Sequence, residues 1–177
     1  MIPEDNFEYW YKQGIGFSDL KKYGEALTCF EKAIELSSNN NELSDAWTEK
    51  GFVKEALKDF DSAIFCQTKA IEFNPKNADA WYMKGVSFGK QKKYFDAEVC
   101  YKKALDINPN DLQVLDNMGT TLCNLGDFKN AITYFDRSIS IDPKQYMPWE
   151  NKAKALKKLG LSDEAERCNH MAKKLGA

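Results

Sequence analysis

Strong net charge, long uncharged apolar runs and paired cysteines are all missing from this 177-residue chain, and each absence removes a class of function. The formal net charge of −2 supplies no long-range attraction to phosphate backbones, so no nucleic-acid partner is expected. The one lysine-rich stretch, Lys152, Lys154, Lys157, Lys158, Lys173 and Lys174, reads as a solvated face before it reads as an anion-binding patch. No segment approaches the roughly 18 apolar residues of a membrane span. Met1-Ile2-Pro3-Glu4-Asp5 has neither the basic nor the apolar region of a signal peptide, so no membrane role and a cytoplasmic location are expected. Five cysteines without a CxxC pair suit reduced thiols in that compartment.

Catalytic groupings are equally scarce. His170 is the only histidine, and its neighbour Cys168 lies two residues away, a spacing that puts the pair on different faces of a helix. Gly14-Ile15-Gly16 opens like a dinucleotide-binding loop but lacks the third glycine and falls within a helical pattern. No catalytic, cofactor-binding or metal-binding residue is assigned, and no enzyme is expected.

What the chain does have is a repeat. Trp10, Trp47, Trp81, Leu115 and Trp149 recur at gaps of 37, 34, 34 and 34 residues. Gly14, Gly51, Gly85, Gly119 and Ala153 follow four residues after them. Two further small columns are Ala26, Ala63, Ala97, Ala131, Ala165 and Ala33, Ala70, Ala104, Ser138, Ala172. A fourth, at the end of each unit, reads Ser38, Pro75, Pro109, Pro143 and Ala177. Trp81, Gly85 and Phe88 make one helical stripe and Ala97, Tyr101 and Ala104 a second, so each unit is a pair of amphipathic helices. The small columns mark where the paired helices approach closely. Leu125-Gly126-Asp127 and Leu159-Gly160 supply the turn within a unit, and Asn74-Pro75, Asn108-Pro109 and Asp142-Pro143 end the second helix.

These columns resemble the tetratricopeptide repeat family over about residues 7 to 177. The third unit carries the pattern most fully, in Trp81, Gly85, Phe88, Ala97, Tyr101, Ala104 and Pro109. Departures are local: Lys54 and Gln67 stand where large apolar residues belong, Leu115 replaces the tryptophan, and Asn169 replaces an aromatic. Ser37 to Ser44 is three residues longer than its counterparts and reads as a tolerated loop insertion. The resemblance implies an all-α fold, a right-handed superhelix or solenoid of helix-turn-helix repeats. One domain over residues 1–177 is expected, with repeats at about 7–40, 44–77, 78–111, 112–145 and 146–177. It also implies a protein-interaction scaffold whose first helices line a concave groove.

Positions beside the packing stripe of the first helices place Tyr11, Asp45, Phe52, Glu55, Asp79 and Tyr82 in that groove, with Asp116 and Lys154 in the last two units. Acidic and aromatic groups together suit a protein or peptide partner with basic and apolar side chains. The Lys/Asn clamp that one family variant uses for C-terminal carboxylates is not matched in register, where Tyr11, Ile15, Glu49, Asp79 and Met83 stand instead. A second reading, from another class, is a self-assembly module that forms homo-oligomers through its terminal repeats. Cys29, Cys66, Cys100 and Cys168 share one register and read as small packed hydrophobes, while Cys123 falls on the groove side as the thiol to test.

Overall fold

The computed structural model of the protein describes residues 6–176; the leader reading at Met1 to Asp5 and the column position of Ala177 lie outside them. Those residues form ten α-helices and, among them, no strand. In chain order they are α1 (Phe7–Asp19), α2 (Tyr23–Leu36), α3 (Asn40–Ala56), α4 (Phe60–Phe73) and α5 (Ala78–Lys90). There follow α6 (Tyr94–Ile107), α7 (Leu112–Leu125), α8 (Phe128–Ile141), α9 (Tyr146–Lys158) and α10 (Ser162–Lys174). No helix among the described residues is long and apolar enough to cross a membrane.

The chain divides into two compact units, the first ending at Gln91 and the second starting at Lys92. Within the first, α1 packs on α2 and α3 on α4 as hairpins, and α5 packs on α4. Within the second, α6 packs on α7, and α7/α8 and α9/α10 are the hairpins. The small columns do what their spacing predicts. A Cβ on Gly14 would stand 2.6 Å from Cε1 of Phe30, and one on Gly119 would stand 2.5 Å from Cε1 of Phe135. Both rings are fully buried, so the glycine lets a phenylalanine from the second helix lie flat on the backbone of the first.

In the second repeat Gln67 takes the phenylalanine's place against Gly51. It is completely buried, donates Nε2 to the carbonyl of Thr48 at 3.1 Å, and leaves Oε1 without a partner. The tryptophan column behaves differently from a plain packing column. Trp10, Trp47, Trp81 and Trp149 are only partly buried, whereas Leu115 is fully buried. Trp81 and Trp149 donate Nε1 to the carbonyls of Pro75 and Pro143, at 3.0 and 3.2 Å, tying each first helix to the proline that precedes it. Where leucine removes that donor, the carbonyl of Pro109 accepts instead from Nη2 of Arg137 at 2.8 Å.

Turns within the repeats share one conformation. Lys21, Lys58, Lys92, Gly126 and Gly160 all have left-handed φ, between 58° and 83°. After Lys21, Lys58, Gly126 and Gly160 the next residue's N–H bonds back to the helix, as Lys22 does to Phe17 and Asp127 to Leu122. The segment Ser37 to Ser44 is not the loop insertion its composition suggests. The extra residues are wound into α3, which starts at Asn40 and is the longest helix at 17 residues. Asn39 caps it by accepting from the Glu42 N–H at 3.0 Å, and the Glu42 carboxylate accepts in return from the Ser38 N–H at 3.1 Å.

Candidate functional site

In each unit the first helices of the repeats touch one another, α1 with α3, α3 with α5 and, in the second unit, α7 with α9. Second helices of adjacent repeats do not, neither α2 with α4 nor α8 with α10. A layer of helices that converges beside a layer that splays is the inner side of a curved stack, so the first helices supply the concave side of each unit.

Along that side of the first unit, Asp45, Phe52 and Asp79 are exposed, and Tyr11, Glu55 and Tyr82 are half-buried. Phe52 keeps 43% of its surface in solvent. Tyr11 is committed to packing: its ring stacks on Phe7 at 5.2 Å and tilts against Phe30 at 6.1 Å. Burial pushes its phenol up to about 12, helped by the charges of Glu49, Asp45 and Asp79, so it remains a neutral group at any ordinary pH. The structure therefore gathers Tyr11, Asp45 and Asp79, and adds Glu49.

Burial, then the charge of Asp79, pushes the Asp45 carboxyl up. The same two causes act on Glu49, followed by Asp45 and Asp19. Among the described residues no lysine or arginine forms an ion pair with Asp45, Glu49 or Asp79; the nearby lysines Lys50 and Lys54 pair with Glu31 and Asp59 instead. The sequence placed Glu49 in the clamp register but not among the groove residues, because it lies one position off the stripe that lines the groove. Its signal was present in the i, i+4 spacing from Asp45, a like-charge pair that weakens a helix and so calls for another explanation.

In the second unit Asp116 and Lys154 are not neighbours in one charge cluster. Asp116 is half-buried on α7, its carboxyl pushed up by burial and pulled back by the nearby Ser138 hydroxyl, although neither Oδ1 of Asp116 nor Oγ of Ser138 completes a hydrogen bond. Lys154 is exposed on α9 and pairs with Glu150 at 2.9 Å. It borders a cavity of about 410 Å³ between α7 and α9, with Cys123, Phe128 and Phe135 below and Asn151 and Lys158 at the rim. The sequence marked Cys123 and the lysines separately but not the hollow that joins them. Burial alone pushes the Cys123 thiol up, which works against spontaneous reactivity. Cys29, Cys66, Cys100 and Cys168 are buried, as packed hydrophobes are. Among the described residues no group of three or more His, Cys, Asp or Glu side chains is placed to hold a metal ion.

Comparison with known proteins adds to this geometry. No curated protein matches the chain in sequence. Among solved structures, a crystal structure of MamA is 18% identical, covers 96% of this chain and 91% of its own, and superposes with a TM-score of 0.84. YrrB, described as a TPR protein with an unusual peptide-binding site, is 21% identical over 98% of this chain and 88% of its own, with a TM-score of 0.81. At that identity both are likenesses of fold, and the fold they share with this chain is the all-α helical repeat. Four sequence models described as tetratricopeptide repeat match residues 7–40, 44–77, 78–111 and 100–133. With helical hairpins, glycine-to-ring contacts and left-handed turns recurring at the same step, the chain belongs to the tetratricopeptide repeat family.

Proposed function

We propose that this protein-interaction scaffold binds an extended partner segment carrying basic and apolar side chains along the concave side of its first unit. The observation that carries the reading is the set of carboxylates Asp45, Glu49 and Asp79 beside the exposed ring of Phe52, without a cation of the chain to neutralise them. A lysine or arginine from a partner would relieve their mutual repulsion, and Phe52 would anchor an apolar neighbour. The description of YrrB as peptide-binding supports a peptide as the kind of ligand.

The raised carboxyls give the reading a pH signature. The folded chain holds these protons more tightly than the unfolded one, so its stability falls as pH rises from the ordinary carboxylate range through the raised values. A cationic ligand favours the ionised form, and its affinity climbs over the same window. Glu49→Gln is therefore expected to stabilise the free protein while weakening the ligand.

The decisive measurement is calorimetric titration of the full chain with a capped peptide of alternating lysine and leucine. Phe52→Ala with Tyr82→Ala is expected to cost about 1 to 3 kcal/mol of binding with helicity unchanged. Replacing Lys173 and Lys174 should do much less. Normal binding by the double aromatic variant, or a loss explained by unfolding, would refute the assignment. Self-assembly through the terminal repeats would instead announce itself as a mass that rises with protein concentration.

A further inference from the structure

We infer that the second unit carries a separate pocket of opposite charge, which takes a leucine- or phenylalanine-sized side chain from an acidic segment of a partner protein. The cavity between α7 and α9, at about 410 Å³, falls within the range of sites that enclose a ligand group. Its floor is apolar: the ring of Phe135 is fully buried beneath it, with Phe128 and Cys123 beside. Its rim is cationic and amidic, from Lys154, Lys158 and Asn151, and no carboxylate lines it.

Two of these rim groups are uncommitted among the described residues. Lys158 has no ion-pair partner among the described residues, and the Asn151 amide makes no hydrogen bond there. Lys154 is held only by Glu150, at 2.9 Å, in an exposed pair of the kind that contributes little and exchanges readily. An apolar floor calls for an apolar side chain. Unneutralised lysines around it call for carboxylates on the residues that flank that side chain, and a basic segment would be repelled. The carboxylate-free lining sets this pocket apart from the acidic face of the first unit, so the two sites select segments of opposite charge.

The pocket contains its own reporter. Cys123 is the one partly exposed cysteine, the other four being buried. The full chain is alkylated with iodoacetamide, and the rate at Cys123 is followed by mass spectrometry with either of two peptides capped at both ends. One has leucine flanked by two glutamates on each side, and the other has lysines in their place. Capping removes the terminal carboxylate, so only the side chains are tested. The acidic peptide should slow alkylation severalfold and the basic one should not. Protection should fall at least tenfold in apparent affinity in Lys154→Gln with Lys158→Gln, and Lys158→Glu should shift the preference toward the basic peptide. Far-UV circular dichroism and the melting temperature of each variant serve as the folding control. Equal protection by both peptides, no protection by the acidic one, or protection that survives the double Gln variant would overturn the inference.

Discussion

Gly14 and Gly16 lie on the same helix, yet a Cβ at Gly14 would run into the ring of Phe30 whereas one at Gly16 would meet nothing within 4 Å. Their alanine variants should therefore move stability in opposite directions. Gly16→Ala is expected to stabilise by about 1 kcal/mol through helix propensity alone. Gly14→Ala should destabilise by about 1 to 3 kcal/mol through overpacking, with urea denaturation reading both. At Gln67 the argument turns on an amide in a ring's position. Its Oε1 is buried without a partner, and the equivalent Phe30 and Phe135 fit the same glycine contact. Gln67→Phe should raise the melting temperature, by about 1 to 3 kcal/mol of stability; a lower melting temperature would mean that the Thr48 hydrogen bond matters more than the orphaned oxygen. The close approach at the glycine column was legible in the sequence, and so was the oddity of Gln67. The burial of Asp116 and the clustering of Glu49 were not, because both depend on which neighbouring helix lies opposite, and a single helix's periodicity does not contain that.

At the scale of the element, α3 shows how a three-residue excess is absorbed. Asn39 and Glu42 satisfy N–H groups at and before its first turn in a reciprocal pair, so added residues extend the helix rather than loop out. Asn39→Ala should cost roughly 1 kcal/mol and speed hydrogen exchange in the first turn of α3, leaving the first turn of α4 as it was. Composition hid this outcome: serines and asparagines favour turns and caps alike, and only the position of Asn39 three residues ahead of a returning glutamate tells them apart. The left-handed turns were half legible for a related reason. Gly126 and Gly160 announce themselves, but the same conformation at Lys21, Lys58 and Lys92 runs against the preference of a residue with a Cβ.

For the whole molecule, the periodic columns gave away the family and the helix count because each repeat buries its apolar stripe on its neighbours and must keep their spacing. A partner leaves no such trace, since a binding surface requires only that its residues stay out of the packing. Nearest-neighbour packing also predicts how damage spreads. Leu156, 2% exposed, joins Ala153, Ala165 and Cys168 in a cluster against Ile132 and Trp149. Leu156→Ala should remove about 2 to 5 kcal/mol locally. Hydrogen exchange should then quicken in α9 and α10 and stay unchanged in α1 to α4; uniform acceleration along the chain would mean that the repeats unfold as one. The turn lysines expose a different face of the same architecture. Lys21, Lys58 and Lys92 are solvent-exposed residues of the type trypsin cuts after, yet their backbone is curled into a left-handed turn, pinned at Lys21 and Lys58 by bonds to the preceding helix, while a protease needs an extended strand in its cleft. Lys21 and Lys58 become substrates only when their own hairpins open, so the order in which trypsin nicks them is a clock for the breathing of the first two repeats.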